Sequence, residues 1–160
     1  MTRLISFVGT SDSGKTTLLT QIIPRLREKG LKIAVVKHHA HGDFDIDREG
    51  KDSWKLYNSG ADVLISSPVK MAFIRRSEND SLDWIFERYL KGDYDLVLTE
   101  GFSRAGKDRI VVLNDPEKLD YFRHGKILAV ICDEKIEGHT WFRRDDVEKI
   151  ANFIFELVNQ

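Results

Sequence analysis

Residues 9–16 read Gly9-Thr10-Ser11-Asp12-Ser13-Gly14-Lys15-Thr16, a complete G-x-x-x-x-G-K-[ST] loop, and no other feature constrains the fold so tightly. An apolar run, Leu4-Ile5-Ser6-Phe7-Val8, precedes it, and Thr17-Leu18-Leu19-Thr20-Gln21-Ile22-Ile23 follows as a helix-like stretch. Strand, glycine-rich turn and helix are the context this motif requires. The glycines let main-chain N–H groups curl around phosphate oxygens, and the helix N-terminus adds partial positive charge. Lys15 is placed to reach the β- and γ-phosphates, and the Thr16 hydroxyl to coordinate Mg²⁺. Gly9 through Thr16, with Thr17 in the first helical turn, are therefore the candidate nucleotide-binding residues.

The bulk properties narrow the rest. A chain of 160 residues fits a single domain spanning 1–160. Lys and Arg number 25 against 26 Asp and Glu, a net charge of −1, which gives no electrostatic reason to expect nucleic acid as the partner. Cys132 is the only cysteine, so an internal disulfide is excluded and a reducing cytoplasm is expected. No stretch approaches the ~20 apolar residues of a membrane helix.

Along the chain, apolar Leu18, Leu19, Ile22, Ile23 and Leu26 recur on one helical face, with a stop near Lys29-Gly30 and a kink expected at Pro24. Leu31 to Lys37 reads as a second strand buried on both faces. Residues 38–52 break all periodicity, and a connection that long is usually functional or disordered. Ser53 to Ser59 reads as a short helix, and Val63-Leu64-Ile65 and Met71-Ala72-Phe73-Ile74 as two short strands. Leu82, Ile85, Phe86, Tyr89 and Leu90 form the stripe of a third helix capped by Asp80 or Ser81. Leu96-Val97-Leu98, Arg109 to Leu113 and Leu128 to Ile131 are further strands, and a last helix carries Val147, Ile150, Ala151, Ile154, Phe155 and Val158. The alternation predicts an α/β fold of the P-loop NTPase class: a mostly parallel sheet with helices on both faces. Ligands in such sheets sit at the carboxyl ends of the strands.

Four polar segments follow strands, and the phosphate loop is the first. Lys37 closes the second strand and is a candidate second phosphate ligand. Behind it, Asp43, Asp45 and Asp47 alternate, so they share a side in an extended segment. A magnesium ion beside a triphosphate takes one or two carboxylates, a hydroxyl, phosphate and water. Asp45 and Asp47 are the candidate ligands and Asp43 is left to solvent. His38, His39 and His41 fit no standard zinc spacing; His38 or His41 contacting phosphate or orienting an aspartate is the simpler reading. In the third segment Glu100 ends a buried strand, where a carboxylate completes the Mg²⁺ shell, and Gly101 leaves room for the γ-phosphate. In the fourth, Asp133 is the candidate acceptor for guanine N1 and N2, although no Asn-Lys-x-Asp element is present.

Taken together, Gly9 to Thr16, Ile23-Pro24 with Gly30, Lys37-His38 with Phe44-Asp45-Ile46-Asp47, Gly50-Lys51-Asp52-Ser53 with Gly60-Ala61, and Thr99-Glu100-Gly101-Phe102 resemble the molybdopterin-guanine dinucleotide biosynthesis protein B (MobB) family. The resemblance covers the chain up to Phe102. It implies a GTP-binding protein, homodimeric and weakly GTP-hydrolysing, that assists the nucleotidyltransferase attaching GMP to molybdopterin. Molybdoenzyme precursors are further implied partners. Carried over by position, Lys15 and Thr16 bind phosphate and Mg²⁺, and Asp45, Asp47 and Glu100 surround the metal; from the residues themselves, Lys15, Lys37 and Glu100 are the candidate catalytic residues. Thr10 stands where partitioning ATPases and dethiobiotin synthetase often place an extra lysine, which argues against a lysine-in-trans ATPase. The alternative is an ATP-dependent small-molecule kinase or ligase of the dethiobiotin-synthetase-like class, with the 38–52 loop holding an acceptor.

Overall fold

The computed structural model describes residues 1–39 and 42–160. His41, one of the three clustered histidines, lies outside the described residues. The chain divides into two compact units, one formed by Met1–His38 with Ser81–Gln160 and the other by His39–Asp80.

In the first unit six strands form one parallel sheet in the order β2-β5-β1-β6-β7-β8. They are β1 (Arg3–Val8), β2 (Ile33–Lys37), β5 (Leu96–Glu100), β6 (Arg109–Val112), β7 (Ile127–Ile131) and β8 (Trp141–Phe142). The strand that feeds the phosphate loop thus lies inside the sheet, between β5 and β6. Helices α1 (Lys15–Glu28), α3 (Leu82–Tyr89) and α4 (Val147–Val158) belong to the same unit. On one sheet face Ile5, Phe7, Leu98, Ile110 and Ile131 pack with Leu18, Ile22 and Leu26 of α1 and Ile150 and Ile154 of α4. On the other, Val8, Val111, Leu113, Val130 and Cys132 pack with Leu119 and Phe122 of a 3₁₀ helix, Pro116–Phe122. The period of two along each strand produces these two cores, since alternate side chains leave opposite faces. The α/β expectation, helices on both faces of a parallel sheet, is met.

Local signals place most boundaries. Gly30, at φ 90°, ends α1 after Lys29, as the glycine stop predicts. Helix α1 runs through Pro24 without interruption. Ser81 caps α3 by accepting from the Trp84 N–H at 3.4 Å. Two expectations are corrected. β2 is the sheet edge rather than a fully covered strand, and Val35 is 45% exposed. The loop carrying Pro116 contains the 3₁₀ helix, with Pro116 at its start where no N–H is needed.

The second unit holds α2 (Asp52–Asn58) and an antiparallel hairpin of β3 (Val63–Ser66) and β4 (Met71–Ile74), in register Leu64↔Phe73 and Ser66↔Met71. Among its described residues, 39 and 42–51 form no helix or strand. Among the described residues, no helix is long and apolar enough to cross a membrane.

Candidate functional site

The phosphate loop is shaped by its neighbour β6. A Cβ at Gly9 would collide with the carbonyl oxygen of Val112, so only glycine lets the chain leave β1 on this path. Asp12 (φ 58°) and Gly14 (φ 82°) are both left-handed, which turns the loop's amides inward before α1 begins at Lys15. The amide side chain of Asn114 holds that turn by donating to the Asp12 carbonyl at 3.3 Å. Lys15 bends back over the loop, its Nζ donating to Thr10 O (2.6 Å), Gly9 O (3.2 Å) and Ser13 Oγ (3.2 Å). Burial pulls the Lys15 pKa below the usual lysine range; Glu100 and Asp12 oppose that shift, and Lys37 adds to it.

The ends of β1, β2 and β5 supply the acidic side. The parallel register sets Phe7, Lys37 and Glu100 on one rung, so Lys37 and Glu100 project from neighbouring strands on the same face. Thr16 Oγ1 donates to Glu100 Oε1 at 2.5 Å, and Lys37 Nζ lies 3.4 Å from Glu100 Oε2. The Glu100 side chain is only 14% exposed, whereas that of Lys37 is 64% exposed. Thr16, Lys37 and Glu100 are thus brought together beside the loop. Gly101 has φ 97°, and a Cβ there would lie 3.0 Å from the Cβ of His38. Gly101 thus packs closely against His38, whose ring centroid lies 4.5 Å from that of Phe102.

At the ends of β6, β7 and β8, Asp133 meets Arg144, which in turn meets Asn114; sequence reasoning selected neither of these two. Arg144 donates through Nη1 to Ser13 O, and through Nη2 to Leu113 O (2.5 Å) and Asn114 Oδ1. Its Nε lies 3.5 Å from Asp133 Oδ1. Beside it an open cleft of about 200 Å³ is lined by Gly14, Thr17, Leu18, Gln21, Val112 and Arg144. Asn114 had a legible signal, a polar side chain just past a buried strand; Arg144 follows a strand of two residues and had none.

The remaining metal candidates lie on the second unit. Asp43 and Asp47 each accept through Oδ1 from the following main-chain N–H, of Phe44 and of Arg48, at 2.8 Å. Asp47 Oδ2 is buried with no hydrogen-bond partner among the described residues. Asp45 is exposed.

The family model for molybdopterin guanine dinucleotide synthesis protein B matches residues 4–133. A molybdopterin-guanine dinucleotide biosynthesis adapter protein of Escherichia coli (strain K12) is 32% identical, over 100% of this chain and 95% of that protein. Among solved structures, a crystal structure of molybdopterin-guanine biosynthesis protein B is 60% identical with a TM-score of 0.88, covering 99% of this chain and 100% of the other. MobB of Bacillus subtilis is 28% identical with a TM-score of 0.78, covering 94% and 96%.

Proposed function

Since the chain belongs to the molybdopterin-guanine dinucleotide synthesis protein B family, we propose that it is the nucleotide-binding adapter of molybdopterin guanine dinucleotide formation. In this reading it binds GTP with Mg²⁺, hydrolyses it slowly, and assists the nucleotidyltransferase that joins GMP to molybdopterin. We take residues 1–160 as one nucleotide-binding domain, cytoplasmic and homodimeric, with molybdoenzyme precursors as further partners.

The observation that carries the reading is the meeting of Thr16 and Glu100 beside the loop, with Lys15 and Lys37 on either side. A hydroxyl and a carboxylate are the oxygen donors a hard divalent cation prefers. The Lys37 ammonium neutralises Glu100 in the same place, which marks it as a position for positive charge. Asp45 and Asp47 enter the reading as metal ligands on the sequence and the family resemblance alone; Asp47 carries a buried oxygen, unpartnered among the described residues, of the kind such an ion takes. Mg²⁺, when bound, supplies charge that offsets the β- and γ-phosphates. The protein's own part is electrostatic: loop amides from Gly9 to Thr16 cradle the phosphates, and Thr17 and Gly101 border them. Lys15 and Lys37 bind the terminal phosphate, and Glu100 and Thr16 hold their geometry. No arginine stands out in the sequence as dedicated to the γ-phosphate, with Arg48, Arg75 and Arg104 the candidates to act across a dimer, and turnover is expected to be slow. Asp133 is the acceptor proposed for the guanine edge.

Calorimetric titration of GTP and ATP with Mg²⁺ tests the reading, with Lys15→Ala as control. The expected result is preference for GTP and a loss of about 100-fold or more in the variant, from removal of a charge-assisted contact. Preference for ATP, with fast turnover only when an acceptor is added, would instead favour the kinase or ligase alternative.

A further inference from the structure

We propose that Arg144 is the specificity-determining residue of the nucleoside site: its guanidinium is the stacking wall for a purine, and it holds Asp133 in place to read guanine. The inference rests on the nucleotide-binding reading and adds to it the residue that selects the base.

Four acceptors surround the guanidinium. Ser13 O, Leu113 O and Asn114 Oδ1 take its Nη hydrogens, and Asp133 Oδ1 faces its Nε. A guanidinium has five donors in one flat fork. With its edge committed to these groups, what it offers the cleft is its face. The other lining residues supply no competing charge: Gly14, Thr17, Leu18, Gln21 and Val112. A cleft with one planar cationic wall, closed by aliphatic and small side chains, suits a flat π-system, since arginine stacks on aromatic faces. The cleft adjoins Gly14, at the start of α1, so a triphosphate in the loop would carry its nucleoside there.

Guanine rather than adenine follows from Asp133. Its side chain is 71% exposed, and only one of its oxygens is engaged with Arg144. An ionised carboxylate accepts only, which matches the paired N1–H and N2–H donors of guanine and opposes adenine's N1 acceptor. Arg144 also joins the base reader to the phosphate cradle, because the same side chain binds Ser13 O and, through Asn114, the Asp12 carbonyl.

The test compares GTP, ATP and inorganic tripolyphosphate, each with Mg²⁺, on the full chain by calorimetry. Arg144→Ala is expected to weaken GTP about 10- to 30-fold, in line with loss of one stacking contact, and tripolyphosphate much less. Arg144→Lys, which keeps the charge but loses the fork, should resemble Arg144→Ala. Asp133→Asn should erase the preference for GTP over ATP, and it carries the test alone if the arginine variants fail to fold. Equal losses for GTP and tripolyphosphate would reduce Arg144 to a brace of the loop and overturn the proposal. Unchanged GTP affinity in all three variants would overturn it as well. Wild-type protein that binds tripolyphosphate but shows no preference between GTP and ATP sinks this inference alone; binding of none of the three sinks the nucleotide reading with it.

Discussion

At the residue scale, Glu100 carries the most consequence. It receives the Thr16 hydroxyl on one oxygen and faces Lys37 with the other, so its charge and its shape do separate jobs. Glu100→Gln keeps the shape and the hydroxyl contact while removing the charge. The expected outcome is a 10- to 100-fold weaker Mg²⁺ requirement curve for GTP binding, the scale found when a metal's supporting group is altered. Stability without nucleotide should change by less than about 1 kcal/mol, because the Lys37 partner is mostly solvated. A magnesium titration of the GTP complex that superimposes on wild type would remove Glu100 from the cation shell. Glu100 was legible in the sequence because it ends an apolar run, as were the eight contiguous letters of the loop. Arg144 was not, since it and its partners Asn114, Asp133 and Ser13 come from four segments that meet only where parallel strands end together.

At the scale of elements, the connections matter more than the strands. Arg109 opens β6 fully buried, and its guanidinium donates to Ser103 O (2.9 Å), Lys107 O (3.2 Å), Phe122 O (3.2 Å) and His124 O (2.7 Å). It fastens the segment after β5 to the end of the 3₁₀ helix. Arg109→Ala strands several buried carbonyls, and a loss of about 3–5 kcal/mol is expected, read as a lower urea midpoint. Lysine should not rescue it, having no fork to span four acceptors. The turn before α4 is tied differently. Asp146 accepts from Lys149 Nζ (2.6 Å) and Arg143 N (3.0 Å), and these bonds, the Lys149 one foremost, hold its carboxyl below the usual aspartate range. A depressed carboxyl stabilises the fold above its unfolded pKa, about 4, and that contribution is lost as pH falls through the lower native value. Asp146→Asn should therefore melt below wild type at pH 7, the gap closing as the pH is lowered past 4. A constant gap would show that charge is not its role. Strand and helix positions were legible from periodicity. The exposure of β2 was not, because strand order decides which strand becomes an edge, and β8 has too few residues to show a period.

At the scale of the whole molecule, the second unit presents a surface that the chain itself leaves open. In the register of the hairpin, Leu64, Met71 and Phe73 share one face, and they are 57%, 68% and 50% exposed. Among the described residues β3 and β4 pair only with each other. A lone two-stranded hairpin is marginal in water, and adjoining exposed apolar residues usually mark a contact surface. The sequence reading located both strands but had no means to see this, since alternation shows that a strand has two faces and not which of them is covered. A symmetric dimer through this face is the simplest use of it, and it is the homodimer proposed above. Replacing both Leu64 and Phe73 with Asp places charge on that face while leaving Val63, buried on the other, untouched. Burying one such apolar side chain is worth about 1.5–3 kcal/mol, so association should weaken by at least about 100-fold. Light scattering on a sizing column is expected to give twice the chain mass for wild type and the single mass for the double variant. Raised salt should not dissociate the wild-type dimer, because the contact is apolar rather than ionic. A double variant that still elutes at twice the chain mass would move the dimer interface elsewhere and leave the hairpin face to the nucleotidyltransferase partner.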